Sequence, residues 1–241
     1  MSLRNRFLFA LLIAVASLAA FQSGRRRTSS SAEGRWPPAS LVPVQLKDPG
    51  KLAVGKVLVA SRGLGDPNFA GTVILLVRYD EKGVVGLILN RRTTVPLSKV
   101  LNLKPAKDRS DPAYSGGPME PSIAFALYQS VDKIEKAESI FPGVYMIIDK
   151  DLFEQTISAQ PDPRVFHVYL GYAGWTQDQL QAEVKLGAWF VFPAEANTVF
   201  NSDPDSLWKN MIANTELMQA EAEPPRSQNA RDLRHLQSGF G

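Results

Sequence analysis

The sequence predicts a single α+β domain over residues 47–215, and two observations support this. Short strand-like apolar segments and amphipathic helical segments follow one another without the regular strand–helix–strand alternation of doubly wound folds. Two of the strands are separated by a hairpin-type turn, and such short connections join antiparallel neighbours. With 241 residues, 44% of them apolar, the chain can bury a sizeable core.

The first half of the domain is predicted to hold three strands. Lys56–Ala60 is a short β-branched run, and Thr72–Tyr79 is apolar almost throughout, as expected of a strand covered on both faces. Between them, Gly63–Asn68 is a dense cluster of turn residues. After a turn at Asp80–Gly83, Val84–Asn90 is predicted to return as a strand.

The middle of the domain is predicted to hold a short helix, a turn and two strands. The helix is Pro96–Leu101, with the proline in its first turn. Ser115–Pro118 contains two glycines and a proline, which favours a turn. Ile123–Tyr128 and Val144–Ile148 are rich in apolar and aromatic residues, which indicates strands.

The next predicted helix begins at an N-capping aspartate and is followed by a strand. Asp149 caps the helix, whose buried face carries Leu152, Phe153 and Ile157. Val165–Leu170 is the strand. The five residues 171–175 after it are predicted to form a tight turn in which Gly171 or Gly174 has a positive φ.

Two further helices are predicted near the end of the domain. Thr176 and Gln179 form a T-x-x-Q capping box for a helix that ends at Gly187. Its core-facing residues are Leu180 and Val184. Ala188–Phe192 is a strand, and Asp203 then caps the last helix, with Pro204 at its first position. The apolar stripe of the last helix comprises Leu207, Trp208, Met211 and Ile212.

The segment before the domain is interpreted in several ways. Phe7–Phe21 is uncharged and mostly apolar, so residues 1–24 are predicted to be a secretory signal or a short membrane anchor. Arg25–Arg27 opposes translocation of that flank, so the orientation is open. An organellar transit peptide and a misassigned start codon are the other interpretations.

Two further segments are predicted to lie outside the folded domain. Residues 25–46 are rich in Ser, Pro and Gly and show no periodicity, so we expect a disordered linker. Residues 216–241 are polar, and we expect a flexible tail.

The formal charge of +3 is distributed unevenly along the chain. Residues 1–46 contain six arginines and one glutamate, a net charge of +5, whereas the remainder has 21 basic and 23 acidic residues, a net charge of −2. A DNA-binding domain usually carries a basic surface, so sequence-specific DNA binding is not supported. The absence of cysteine excludes disulfides, thiolate nucleophiles and cysteine-ligated metals.

The residue types argue against catalysis, and no cofactor or metal is predicted. His167, the one histidine within residues 47–215, would have to be the base of any triad, with Ser61 and Asp66 as its partners. No nucleophile-elbow sequence accompanies them, so His167 is predicted to be a satisfied, half-buried strand residue. Gly63-x-Gly65 lacks the third glycine of a nucleotide fingerprint, and Pro67 interrupts the helix start that such a site requires.

The candidate binding surface is drawn from the glycine-rich segments and one strand end. Exposed loops often carry function, and glycine lets a ligand approach the backbone. Against this, the aromatic residues of the 171–175 segment are also those expected to build the core. The set comprises Gly63, Gly65, Asp66, Asn68, Asn90, Arg91, Gly116, Gly117, Gly171, Tyr172, Gly174 and Trp175.

Several segments together resemble the YqgE/AlgH family. They are Leu58–Ser61, Gly63–Phe69, Gly86–Arg91, Gly116–Pro118, Gly171–Trp175 with Gln179, Leu180 and Glu183, Gly187–Trp189 and Leu207-Trp208. The resemblance implies an α+β fold with a bent, barrel-like, mostly antiparallel sheet flanked by helices. Arg62 and Arg92 stand where this family commonly has proline. The family is described as transcriptional regulators, without an established ligand or catalytic residue, and its members are generally cytoplasmic.

Three functional hypotheses follow. The leading one is a non-catalytic binding or regulatory module with a protein or small-molecule partner, tethered to a membrane or exported through residues 7–21. The second is an enzyme of unrecognised type that uses the Gly63–Asn68 and Gly171–Trp175 loops. The third is the cytoplasmic transcriptional regulator that the resemblance implies. The sequence leaves the oligomeric state open.

Overall fold

The computed structural model describes residues 52–101, 103, 106–201 and 203–222. The predictions made for residues 1–24 and 25–46, and those made for the chain after residue 222, lie outside these residues. Within the described ranges, no helix combines the length and apolar character needed to cross a membrane.

In the part of the chain that the structure describes, ten strands form one sheet, and neighbouring strands are mostly antiparallel. In chain order they are β1 (Lys56–Ala60), β2 (Val73–Asp80), β3 (Gly83–Ile88), β4 (Arg92–Pro96), β5 (Pro112–Ser115), β6 (Met119–Gln129), β7 (Glu138–Phe141), β8 (Val144–Ile147), β9 (Phe166–Trp175) and β10 (Trp189–Pro193). The main path across the sheet is β10-β1-β2-β3-β9-β6-β8-β7. β4 pairs with β5, and β5 runs parallel to β9. Every strand predicted from sequence is present, whereas β4, β5 and β7 were not predicted.

Within the described residues, five helices accompany the sheet. They are α1 (Leu97–Val100), α2 (Lys150–Ser158), α3 (Gln177–Lys185), α4 (Ala196–Val199) and α5 (Pro204–Ala222). The short α4 was not predicted. Helix α5 continues beyond Thr215, where the sequence pattern predicted that the polar tail begins.

The caps predicted at Asp149 and Thr176 are present, and Gln179 bonds to a different partner from the predicted one. The carboxylate of Asp149 accepts from the backbone N–H of Leu152 at 3.0 Å, and the hydroxyl of Thr176 accepts from that of Gln179 at 3.1 Å. The side-chain amide of Gln179 donates to Glu183 at 2.9 Å. The side-chain amide of Gln179 therefore bonds within its own helix and does not reach back to the backbone N–H of the N-cap residue, as it would in a capping box.

The turn predicted at Gly171–Trp175 is wrong, because β9 runs through it without a break. Gly171 has the predicted positive φ, at +69°, but the residue lies inside the strand. Tyr169 and Tyr172 both belong to the same hydrophobic cluster although they are three residues apart. Strict alternation would place residues three apart on opposite faces. Gly171 therefore acts as a bulge that changes the phase of the strand.

The buried side chains of the described residues form three hydrophobic clusters. The inner cluster unites residues from most of the strands with Leu207 and Ile212 of α5. A second cluster joins β1–β3 and the end of β9 to Leu180 of α3. A third joins β6, β8 and the start of β9 to α1 and α2. On either side of the phase change at Gly171, the outer face of β9 packs against different helices: α1 and α2 before it, and α3 after it.

The sheet curls into a half-barrel, as the family resemblance implied. Gly55 precedes β1, and a β-carbon placed on it would lie 3.0 Å from the carbonyl oxygen of Ile140 and 3.4 Å from Phe141 Cβ in β7. Because β7 is an edge strand and β1 lies next to the opposite edge, the two ends of the sheet approach each other. The fold class predicted from sequence, α+β with a bent and mostly antiparallel sheet, is confirmed.

Candidate functional site

Three of the predicted site glycines form a backbone crossing, defined here as Gly116 and Gly117 passing over Gly171. A β-carbon on Gly116 would collide with the carbonyl oxygen of Gly171, and one on Gly117 would collide with the backbone of Tyr172. A β-carbon on Gly171 would lie 2.6 Å from the carbonyl oxygen of Met119 and 2.7 Å from that of Gly117. These glycines are required by space, so their role is architectural.

Gly116 also continues the hydrogen bonding of the sheet where β3 ends. Its carbonyl oxygen accepts from the N–H of Ile88 at 2.9 Å, and its own N–H donates to Leu170 at 2.8 Å. The crossing thereby joins β3 to β9 beyond Gly86, the last residue of β3 that pairs directly with β9.

Tyr172 and Trp175 lie in different hydrophobic clusters. Tyr172 lies in the inner cluster, and Trp175 lies in the cluster beneath α3. Gly174 lies between them, and a β-carbon there would be 2.7 Å from Met119 Sδ and 3.4 Å from Tyr172 Cε2. The thioether of Met119 therefore fills the space that a side chain at Gly174 would take.

Trp175 belongs to an aromatic group organised by one carboxylate. Glu183 accepts from the indole N–H of Trp175 at 3.1 Å and from that of Trp189 at 2.8 Å. Phe69 stacks on Trp175 with ring centroids 5.6 Å apart and meets Trp189 edge-on at 6.0 Å. Glu183 and Phe69 were absent from the predicted site, although both belong to the segments that carry the family resemblance.

The Gly63–Asn68 loop is exposed, and its two glycines are not packed against other parts of the structure. Among the described residues, no atom lies within 4 Å of a β-carbon built on Gly63 or Gly65, and neither has a left-handed φ. The carboxylate of Asp66 accepts from the N–H of Asn68 at 2.8 Å, as turn-forming aspartates do. Packing therefore does not require glycine at these two positions.

Asn90 and Arg91 follow β3; Asn90 bonds to the residues at the start of β2, and Arg91 contacts the Gly63–Asn68 loop itself. The side chain of Asn90 donates to the carbonyl of Gly71 and accepts from the N–H of Val73, both at 2.9 Å. Arg91 donates to the carbonyl of Pro67 at 3.3 Å. Burial lowers the pKa of Arg91, and the charge of Asp66 opposes that shift.

Apart from Asn90, the predicted site residues thus separate into two groups. We call Gly63, Gly65, Asp66, Asn68 and Arg91 the loop surface. The backbone crossing, Gly174 and the two aromatic residues of β9 are part of the packed sheet. The two groups meet where Phe69, just after the loop, stacks on Trp175, so the contact between them is aromatic and not a polar cleft.

His167 is packed among aromatic rings, as predicted for a satisfied strand histidine. Its ring stacks on Tyr114 at 4.6 Å and lies 5.1 Å from the ring of Phe200. The hydroxyl of Tyr169 lies 3.4 Å from Nδ1. Burial lowers the pKa of His167 to about 4, against the opposing effect of backbone groups at Pro163 and Val199.

Stability should therefore depend on pH through His167. Its folded pKa of about 4 lies below the ordinary value of 6.5, so the unfolded state binds more protons between these values. The stabilisation from neutral His167 is complete above pH 6.5 and is lost as pH falls towards 4, by at most about 3 kcal/mol. We expect His167→Asn to remove this part of the dependence. Parallel curves of unfolding free energy from pH 4 to 7 for the two proteins would contradict the assignment.

The described residues include no group of three or more His, Cys, Asp or Glu side chains placed to hold a metal ion. The ionic contacts near the loop surface are pairwise. Arg92 lies 3.4 Å from the carboxylate of Asp205, and Arg62 lies over the ring of Trp208, 5.6 Å from its centroid.

Comparison with known proteins gives a consistent result. A family model described as AlgH-like matches residues 57–219. A UPF0301 protein of Myxococcus xanthus is 35% identical over 160 residues, which cover 65% of this chain and 87% of that protein. A UPF0301 protein of Chlorobaculum tepidum is 31% identical over 162 residues, covering 67% of this chain and 86% of that protein.

Two solved structures have a similar fold. The solution structure of the AlgH protein from Pseudomonas aeruginosa superposes with a TM-score of 0.56 at 27% identity, covering 74% of this chain and 98% of that one. The crystal structure of DIP2367 from Corynebacterium diphtheriae gives 0.54 at 22% identity and covers 68% and 88%, respectively, which supports the fold alone. The family match and the relatives' extensive coverage together show that the chain belongs to the YqgE/AlgH family.

Proposed function

We propose that this chain is a non-catalytic binding or regulatory module and that the loop surface contacts its partner. The observation that supports this most strongly is the contrast among its glycines. Gly116, Gly117 and Gly171 are needed by the fold, whereas a β-carbon at Gly63 or Gly65 would meet no neighbour among the described residues. Glycine at an unconstrained, exposed position lets a partner's backbone come close.

The anchoring of the loop supports the same proposal. Asp66 accepts a hydrogen bond within the turn of the loop. Arg91, at the end of the hairpin, donates to the loop, and Phe69 packs on the aromatic group under α3. A loop held in one conformation loses less entropy when a partner binds. This favours recognition by a preformed surface over one that becomes ordered on contact.

The enzyme hypothesis receives less support. It requires polar groups to converge between the Gly63–Asn68 loop and residues 171–175. The contact between these segments is the stack of Phe69 on Trp175, and the indole N–H of Trp175 is directed to Glu183. A general base must reach a substrate proton, whereas the ring of His167 is enclosed by Tyr114 and Phe200.

A cross-linking experiment tests the proposal. The sequence contains no cysteine, so Asn68→Cys provides a single attachment site for a photoreactive group on the exposed loop and leaves both loop glycines in place. Val131→Cys is the matched control, because Val131 is fully exposed at 100% and belongs to the β6–β7 connection. We expect specific cross-linked species in cells from position 68 and not from position 131. Equal products from both positions, or none from position 68, would contradict a contact at the loop surface.

The proposal also includes membrane association or export through Phe7–Phe21. Cell fractionation of the full chain and of a chain lacking residues 1–24 tests this part. Membrane or extracytoplasmic recovery of the full chain alone would support it. Recovery of both proteins in the cytoplasm would favour the alternative localisation implied by the family resemblance.

Duplex DNA binding is expected to be weak and nonspecific. Residues 47–215 carry 18 basic and 19 acidic side chains, which gives little net attraction for phosphate. A gel shift at physiological salt with the full chain, compared between specific and scrambled duplexes, measures this. Sequence-selective binding in the range of about 10⁻⁸ M or tighter would favour the transcriptional regulator instead.

A further inference from the structure

The loop surface has backbone donors that the fold itself does not use. Leu64 donates its N–H to the carbonyl oxygen of Ser61 at 3.1 Å, and its side chain packs against the second cluster. The N–H groups of Gly63 and Gly65, on either side of Leu64, have no acceptor among the described residues. Both glycines are exposed, and neither has a side chain that would keep a partner's backbone away. Two main-chain donors are therefore accessible to a partner.

Arg91 supplies the positive charge of the loop surface. Its guanidinium donates to the carbonyl oxygen of Pro67 at 3.3 Å, and it belongs to no ion pair within the described residues. Burial lowers the pKa of Arg91, and the charge of Asp66 opposes that shift. The adjacent Arg92 differs, because the carboxylate of Asp205 lies 3.4 Å from its guanidinium. A carboxylate supplied by a partner would therefore stabilise the partly buried charge of Arg91.

Two half-buried apolar side chains lie in the same stretch of chain as these polar groups. Leu64 and Phe69 pack against the second cluster and keep part of their surface exposed. The ring of Phe69 is held by its stack on Trp175. Extended peptides are bound by surfaces of this kind, where main-chain hydrogen bonds give affinity and alternate side chains give specificity.

We propose that the partner of the loop surface presents an extended peptide segment in which an acidic side chain lies between apolar ones. This inference rests on the proposed binding role of the loop surface. Main-chain carbonyl oxygens of the segment accept from the N–H groups of Gly63 and Gly65, and its carboxylate accepts from the guanidinium of Arg91. The apolar neighbours of the acidic residue contact the exposed parts of Leu64 and Phe69. The charge-assisted bond selects the acidic side chain, whereas the main-chain bonds do not depend on sequence.

Amide NMR of the full chain with a defined peptide tests this inference. The probe is acetyl-Thr-Val-Glu-Val-Thr-amide, and the matched controls have Gln or Lys in place of Glu. The β-branched residues favour the extended conformation. We expect saturable shifts of the Gly63 and Gly65 amide signals and little change at Gly143, in the turn between β7 and β8. We expect the Gln peptide to bind about tenfold more weakly and the Lys peptide more weakly still, because neither offers a carboxylate to Arg91.

Three variants separate recognition from folding. Arg91→Gln should weaken binding of the Glu peptide about tenfold and remove its advantage over the Gln peptide. Arg92→Gln is the matched control and should leave both affinities unchanged, because Arg92 is already paired with Asp205. Gly65→Val adds a side chain that meets no neighbour among the described residues. We expect it to abolish the saturable shifts, since the side chain blocks the peptide backbone, while the thermal midpoint of the protein stays unchanged.

Several results would overturn the inference. They are no saturable shift at the two glycines, equal or tighter binding of the Lys peptide, and full affinity for the Glu peptide in Arg91→Gln or Gly65→Val. Inorganic phosphate is the remaining arm, and shifts of the same amides at lower concentrations than the peptide requires would indicate a phosphate site instead. Cross-linking from position 68 requires only that a partner contacts the loop. Cross-linking that persists unchanged in an Arg91→Gln background would contradict the acidic segment and leave the proposed function standing.

Discussion

Replacing Gly171 with alanine is expected to lower the free energy of unfolding by about 3–5 kcal/mol. Two effects add at this position. The φ of +69° is unfavourable for any residue with a β-carbon, and that carbon would lie 2.6 Å and 2.7 Å from two carbonyl oxygens. Both are backbone oxygens: one belongs to Gly117 of the crossing and the other to Met119, which pairs with Tyr172 of β9, so neither can move away without a shift of the backbone.

Gly143→Ala is the matched control for Gly171→Ala. Gly143 has a similar φ of +80°, but the nearest atom to its added β-carbon is the carbonyl oxygen of Ser130, 3.7 Å away. We expect this variant to lose only the conformational part, about 1–2 kcal/mol. Urea denaturation of both variants measures the difference. Equal losses would show that the backbone crossing is not tightly packed.

Trp175→Ala is expected to cost about 3–5 kcal/mol, as large aromatic truncations in cores do. The ring is 3% exposed, stacks on Phe69 and donates its N–H to Glu183. Its removal leaves a cavity under α3 and loosens the anchor of the Gly63–Asn68 loop. Lys185→Ala, an exposed change in the same helix, should remain within about 0.5 kcal/mol of the wild type.

Chemical denaturation followed by circular dichroism suits this variant, since tryptophan fluorescence changes with the substitution itself. The interpretation of Trp175 as a core residue would be reversed if the Trp175→Ala protein were as stable as the wild type but no longer formed the cross-linked species. Trp175 would then be a contact residue and not a part of the core.

Sequence patterns predicted the elements with strong local signals. Asp149 and Thr176 cap helices as expected because an N-cap acts within one turn of chain. The apolar run of β2 identified a strand buried on both faces. These signals depend on residues close together in sequence, so they can be recognised without knowledge of tertiary contacts.

The prediction failed where distant parts of the chain decide the conformation. The glycines at 171 and 174 resemble those of a turn, yet Gly171 serves a crossing with residues 116 and 117. Glycine inside a strand marks a bulge or a close backbone approach, and a single sequence does not distinguish these from a chain reversal. The short strands β4, β5 and β7 exist because of their pairing partners, and their own composition is a weak signal.

The candidate site shows the same division. Gly63, Asp66 and Asn68 were included in the candidate surface because turn residues are conspicuous in sequence. Glu183 was missed as a site residue, because only the structure shows that two indole N–H groups from separate segments converge on it. Likewise, no sequence motif encodes that the hydroxyl of Tyr172 has no hydrogen-bond partner among the described residues, because this is a property of packing.

The most direct test of the central claim is the unfolding free energy of the double variant Gly63→Ala/Gly65→Ala. The claim is that these glycines serve binding, whereas Gly116, Gly117 and Gly171 serve the fold. Since neither loop glycine has a left-handed φ or a near neighbour, alanine should restrict the unfolded chain without straining the native loop. We predict that the double variant is as stable as the wild type or more stable by about 0.4–1 kcal/mol per site. A loss of about 2 kcal/mol or more would contradict the account, because the loop glycines would then be structural.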